Sequence, residues 1–262
     1  MPPSFRLVPL SAATDSLSSR DRLLYSSHMM NQLLLALFVL FNPAPAMPDI
    51  TGAWQMIDAS GNVSTMILTD EHFSVAVYTV NPHKFRMTRG GTWEWSGEGE
   101  VAVTYEFETA DPSYVGQTLR VPAELDANGL VVGGHRWTRV DDGTPGALEG
   151  AWLITGRKRD GEISTRTPGA RRTMKILSGS RFQWIAYNVE TKEFFGTGGG
   201  TYTTENGRYT ENIEFFSRDD SKAGRSLEFG YDVVDGVWHH DGKSTSGDPM
   251  YELWTPRAAL GI

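Results

Sequence analysis

From residue 50 onward the chain is written in short runs of alternating, β-branched and aromatic positions, interrupted at about 8–12-residue spacing by turn signals. Phe182-Gln-Trp-Ile-Ala-Tyr187 and Tyr202-Thr-Thr204 read as strands. Glu205-Asn-Gly-Arg208 supplies an Asn-Gly hairpin turn into Tyr209–Phe216, and Asp235-Gly236 turns the chain again before Val237-Trp238. Outside the leader no run of about 12 residues carries helical periodicity. Strand after strand without crossover helices predicts an all-β antiparallel meander, and closing it into an up-and-down barrel removes the exposed edges.

The exception to this pattern is the start. Residues 33–41 form an unbroken apolar run, too short for a bilayer span of about 20 residues but right for the hydrophobic segment of a secretory signal. Asn42-Pro43-Ala44-Pro45-Ala46 follows, and Ala44-x-Ala46 suits signal peptidase, with cleavage before Met47. Arg20 and Arg22 lie upstream with Asp21 between them, and Met29-Met30 directly precede the run, so translation starting there would make residues 1–28 an over-extended start. An uncleaved interfacial anchor is the other reading. The sequence is read as exported, secreted or periplasmic, with no stable membrane insertion once residues 1–46 are removed.

The remainder is one module written twice. Ile50-Thr-Gly-Ala-Trp54 returns as Leu148-Glu-Gly-Ala-Trp152, and the likeness continues in order. Leu68 matches Leu177, Phe73 Phe182, Tyr78 Tyr187, Phe85 Phe194 and Thr88 Thr197. Gly90-Gly91-Thr92 falls on Gly199-Gly200-Thr201, Glu106-Phe107 on Glu214-Phe215, Gly129 on Gly236 and Trp137 on Trp254. The main difference is an insertion of about 11 residues around Arg159–Gly169 in the second copy. The expected organisation is a barrel over 47–140, a polar linker over 141–147 containing Asp141-Asp-Gly-Thr-Pro-Gly146, and a second barrel over 148–262.

The Gly-x-Trp start, the meander, Gly-Gly-Gly-Thr-Tyr202…Tyr209-Thr-Glu211 and the closing Glu252-x-Trp254…Arg257 resemble the lipocalin-like small barrels exported by many Bacteroidota-type bacteria. The resemblance covers most of 148–257 and, more weakly, 49–140. It implies an up-and-down barrel whose interior commonly holds a small molecule, and it implies no particular activity.

Duplication supplies an internal control for candidate chemistry. Tyr209, Glu211, Ile213 and Phe215 fall on Val101, Val103, Tyr105 and Phe107, so that face is expected to point inward and Glu211 to occupy a core position held by Val103. A buried carboxylate there needs a partner, water or ligand. Trp184 stands where the first copy has Val75, Trp238 is matched with Val131, and Glu252 with His135; His240 shares a face with Trp238. The second barrel is thus expected to be lined by Trp184, Tyr209, Glu211, Trp238, His240, Glu252 and Trp254, an aromatic wall with few polar groups. The first is expected to be filled by aliphatic side chains and to be mainly structural. In the alternative, Glu211 and Glu252 pair with Arg172 or Lys175 in a satisfied network. Glu106 and Glu214 are expected on the opposite face, solvated or paired between strands.

Two further features narrow the chemistry. His239-His240-Asp241 has metal-ligand residue types, but adjacent strand residues point to opposite faces, so no metal site is assigned. Gly198-Gly199-Gly200 lacks the Gly-Lys-Ser/Thr ending of a phosphate loop and leads into a strand, so a turn or bulge accounts for it.

Composition removes whole classes. A net charge of −8, from 24 Lys and Arg against 32 Asp and Glu, argues against nucleic acid as the partner. With no cysteine there is no disulfide, thiol nucleophile or thiolate zinc site. There is no Gly-x-Ser-x-Gly elbow, His-Glu-x-x-His or dinucleotide fingerprint, and no cofactor is implied. The leading expectation is an exported protein that binds a small hydrophobic or aromatic molecule in the second barrel. The alternatives are a hydrolase or isomerase using Glu211, Glu252 and His240 as acid and base, and a non-catalytic envelope interaction module. Intact mass of the exported product should correspond to a chain beginning at Met47; a product retaining 33–46 would overturn the signal-peptide assignment.

Overall fold

The computed structural model describes residues 49–96 and 99–262. The leader expected over 1–46 lies outside the described residues. Eight strands close the first barrel in sequence order: β1 (Gly52–Ile57), β2 (Val63–Leu68), β3 (His72–Val80), β4 (His83–Trp95), β5 (Glu100–Glu108), β6 (Thr118–Asp126), β7 (Gly129–Val132) and β8 (His135–Asp141). In the second copy β9 (Gly150–Arg159), β11 (Arg171–Leu177), β12 (Arg181–Asn188), β13 (Phe194–Glu205), β14 (Arg208–Phe216), β15 (Ser226–Val234), β16 (Val237–Lys243) and β17 (Pro249–Pro256) close through β17 pairing with β9. The insertion is a hairpin: β10 (Glu162–Thr165) folds back on the end of β9, along the same edge that β11 occupies nearer the start of that strand. A single α-helical turn, α1 (Arg257–Leu260), ends the chain.

The repeat persists in local detail. Trp54 and Trp152 are buried and each donates its indole N–H to the carbonyl four residues earlier, Ile50 and Leu148, both at 2.9 Å. Asp111 and Asp219 each cap a 3₁₀ turn, Pro112–Tyr114 and Asp220–Lys222, by accepting from the amide two residues on.

Both copies also carry the same β-bulge. Gly90 pairs with Phe107 but Gly91 with Tyr105, and likewise Gly199 pairs with Phe215 but Gly200 with Ile213. Glu106 and Glu214 are the extra residues. Glycine is required opposite because a Cβ at Gly91 would overlap the Thr104 carbonyl, and one at Gly200 the Asn212 carbonyl. The preceding Gly90 and Gly199 make room for the Phe107 and Phe215 rings, whose Cζ atoms would stand 2.5 and 2.7 Å from such a Cβ. The bulge reverses side-chain parity, so Phe215 and Phe107 do not continue the inward face expected for them. Tyr209, Glu211 and Ile213 point into the barrel, whereas Phe215 joins Val63, Ala76 and Tyr78 of the first barrel, and Phe107 joins Met174, Ile185 and Tyr187 of the second.

These outward aromatics weld the barrels. Phe107 packs on Tyr187 at 5.0 Å between ring centroids, and the duplicated pair Phe215 and Tyr78 at 4.7 Å. Tyr187 donates to Glu106 at 2.6 Å and Tyr78 to Glu214 at 2.5 Å. Each barrel therefore offers the other the same surface, as in an isologous dimer. At the centre Gln183 donates to both Thr88 and its counterpart Thr197, at 2.8 and 2.9 Å. Glu106 and Glu214 are thus interface residues, each accepting from a tyrosine of the other barrel. Glu214 is also paired between strands of its own sheet, as expected, with Arg181 at 2.7 Å, whereas the cations on Glu106 come from the second barrel. Glu106 accepts two hydrogen bonds from Arg257, at 2.8 Å each, and one from Arg172 at 2.7 Å.

Burial alone pushes the Glu106 carboxyl up, but Arg257, Tyr187 and Arg172 outweigh it and hold it at about 2. The depressed folded-state value means that this stabilisation is present above the ordinary carboxylate range, and is lost as pH falls from about 4.5 through about 2. Glu106→Gln should cost about 3–5 kcal/mol, because Arg257 is left buried without its anion. Denaturant melts between pH 7 and pH 2 should show a lower midpoint for the variant and a weaker acid limb.

Candidate functional site

The inward faces of β11 and β14 set the chemistry of the second barrel. Arg171, Thr173 and Lys175 share one face of β11, and Tyr209 and Glu211 one face of β14. Lys175 donates from Nζ to Glu211 Oε1 at 2.7 Å, with the two side chains only 5% and 6% exposed. Four rings surround the ammonium: Tyr209 at 4.8 Å, Trp238 at 4.9 Å, Trp254 at 5.4 Å and Phe229 at 5.8 Å. This is a charge pair inside an aromatic barrel, where cation–π attraction offsets part of the desolvation cost.

The first barrel has solved the same positions differently. Lys175 faces Trp152 and Trp184 across its neighbouring strands, as Met66 faces Trp54 and Val75. Glu211 faces Tyr202 and Leu227, as Val103 faces Trp93 and Leu119. The ion pair therefore replaces a Met–Val contact. Trp238 pairs with Trp254 as Leu130 pairs with Trp137, and His240 with Glu252 as Val132 with His135. Trp238 thus stands in the place of Leu130, not of Val131 as the sequence match suggested. Gly236 lies within its two-residue turn whereas Gly129 follows its own, so matching those glycines shifts the register by one.

A cavity of about 370 Å³ opens above the ion pair. Trp184, Glu211, His240, Glu252 and Trp254 line it, whereas Tyr209 and Trp238 lie buried in the aromatic cluster beneath and do not reach it. Glu252 pairs with Arg157 at 3.2 Å and approaches His240 Nδ1 at 3.7 Å, too far for a hydrogen bond. It accepts instead from the Trp254 indole at 3.2 Å. Arg172 takes no part in this site, being bound to Glu106. Burial, and then the Lys175 charge, push the His240 imidazole below its usual range, so it is neutral at pH 7. Burial raises the Glu252 carboxyl, but His240, Lys175 and Arg157 outweigh it and keep it ionised. Acid–base chemistry by the two carboxylates would need one of them protonated. The arrangement offers a neutral imidazole between a salt-bridged carboxylate and a buried ammonium. His239 points to the other face and hydrogen-bonds Tyr251.

Among the described residues, Tyr209 Oη, Trp238 Nε1 and both ring nitrogens of His240 are buried without a hydrogen-bond partner. Four orphaned polar atoms on three neighbouring side chains are unusual for a protein interior. The first barrel is not filled, contrary to expectation: it encloses about 340 Å³ among Met56, Met66, Val103 and Trp93. Valines and methionines at inward positions predict apolarity, and they do not predict that their volumes fill a barrel of eight strands.

Of the alternative pairings, the structure adopts Glu211 with Lys175; the residues that the sequence did not flag are Arg157, Arg171 and Arg218 on the cavity wall. The signal for Lys175 was present, since it falls on Met66 in the repeat. Compared with known proteins, the chain matches no family model and no curated protein.

Lys175→Met or Glu211→Val alone should destabilise by about 3–5 kcal/mol, because each leaves a buried charge unpaired. The double variant reproduces the first barrel's Met66–Val103 and should come close to wild-type stability or exceed it, which chemical denaturation of all four proteins would measure.

Proposed function

We propose that this is an exported, lipocalin-like tandem barrel that binds a small molecule in its second cavity. The observation that carries the reading is His240, whose two ring nitrogens are buried without a hydrogen-bond partner and which lines a roomy cavity with an aromatic wall. Trp184, Phe216 and Trp254 supply apolar surface, and His240 can donate or accept toward a polar group on the ligand. The unfilled interior favours binding over a purely structural interaction module. The ionised state of Glu252 and the pairing of Glu211 favour binding over two-carboxylate catalysis. Export and a bacterial source belong to this proposal and rest on the leader and on the family resemblance.

The test is a thermal-shift screen with hydrophobic and aromatic compounds on wild type, Lys175→Met/Glu211→Val and Trp184→Val. A compound that stabilises wild type should lose most of its shift in the two second-barrel variants while their unliganded folds remain cooperative. A shift that survives both would move the site to the first barrel's cavity, and no shift with any compound would count against binding altogether.

A further inference from the structure

The mouth of the second barrel is built from arginines. Beside the main cavity lies an outer pocket of about 280 Å³ lined by Arg157, Arg159, Arg166 and Arg171, and the two share Arg157, Arg171 and Thr173. Arg218 adds a fifth guanidinium to the cavity wall. Five positive charges at one opening contrast with the net −8 of the whole chain. Glu162 stands opposite Arg159 in the hairpin register, but direct pairing with carboxylates is sparse. Glu252 is committed to Arg157 and Glu211 to Lys175, and among the described residues no carboxylate lies within 4 Å of Arg159, Arg166, Arg171 or Arg218.

The arginines are also positioned. Arg218 donates from Nε to the Phe195 carbonyl at 2.8 Å, and Arg171 stacks over the Phe195 ring at 4.6 Å. Arg159 sits at the end of β9 and Arg166 just after β10, on the inserted hairpin that the first barrel lacks. Arg171 and Arg218 stand where the first barrel has Asn62 and Ala110. Burial, and then the neighbouring charges of Arg157 and Arg171, disfavour the charged form of Arg166. The cluster thus carries mutual repulsion that an anion would relieve.

We infer that the second barrel selects an amphipathic acid, with its aromatic or apolar body in the main cavity and its carboxylate, sulfonate or phosphate head among Arg159, Arg166 and Arg171. Arginine suits the role because its planar fork binds such heads bidentately, and the surrounding field steers an anion to the opening. The inference deepens the proposed binding function and rests on it.

Two fluorescent probes of similar ring structure separate the claims: 8-anilinonaphthalene-1-sulfonate, which carries an anionic head, and N-phenyl-1-naphthylamine, which lacks it. Wild type should bind the sulfonate at least about tenfold more tightly than the neutral amine, corresponding to one charge-assisted contact. Arg159→Gln/Arg166→Gln, both at exposed positions, should remove most of that preference while leaving the amine within about twofold and the melting curve unchanged. Raising salt should weaken only the sulfonate. Equal affinity for the two probes, or sulfonate binding unaffected by the double variant, overturns the anion site while amine binding that is sensitive to Trp184→Val keeps the small-molecule reading. Binding of neither probe overturns both.

Discussion

One extra residue in each barrel, Glu106 in β5 and Glu214 in β14, sets how the two barrels meet. A regular strand would send every second side chain to the same face, and Phe215 would then follow Tyr209, Glu211 and Ile213 inward. The bulge breaks that parity. Upstream of it Tyr209 and Glu211 look into the second barrel, and downstream Phe215 looks out at the first. The same strand therefore supplies floor to a cavity and wall to an interface. The displaced glutamates, turned to the same side as the phenylalanines, meet tyrosines from the opposite barrel.

The two interiors show how far one scaffold can be pushed. Met66–Val103 and Lys175–Glu211 occupy equivalent places under equivalent tryptophans. Replacing an apolar pair with a buried ion pair rarely adds stability. Its presence in one copy and absence in the other points to a use for the polarity. The aromatic rings around Lys175 make the substitution tolerable, and they leave His240 and the indole of Trp238 without partners of their own.

Much of this was legible in the chain. Repeated Gly-Ala-Trp openings, hairpin turns and alternation give two all-β barrels, and comparison of the copies locates Glu211 as a carboxylate in a core position. The Phe107 and Phe215 orientations were not legible, because a bulge leaves no pattern beyond a pair of glycines on the facing strand. Trp238 was misplaced by one residue because identical glycines occupy different steps of two-residue turns. The arginine mouth has no signature in the chain for another reason: Arg159, Arg166, Arg171 and Arg218 are scattered over 60 positions of sequence and converge only when the barrel closes. Volume is likewise a property of the closed ring, so the first barrel's cavity has no signature in its aliphatic composition.

The isologous contact between the barrels has an implication for how such a molecule can change. In a dimer of two identical chains, any alteration of one interior is an alteration of both, and a self-complementary surface ties their histories together. Joined on a single chain by the turn-rich segment after Asp141, the halves keep the shared surface yet mutate separately. One cup can stay lined with methionine and valine while the other acquires charge, indole and a guanidinium rim, and the seam between them need not move.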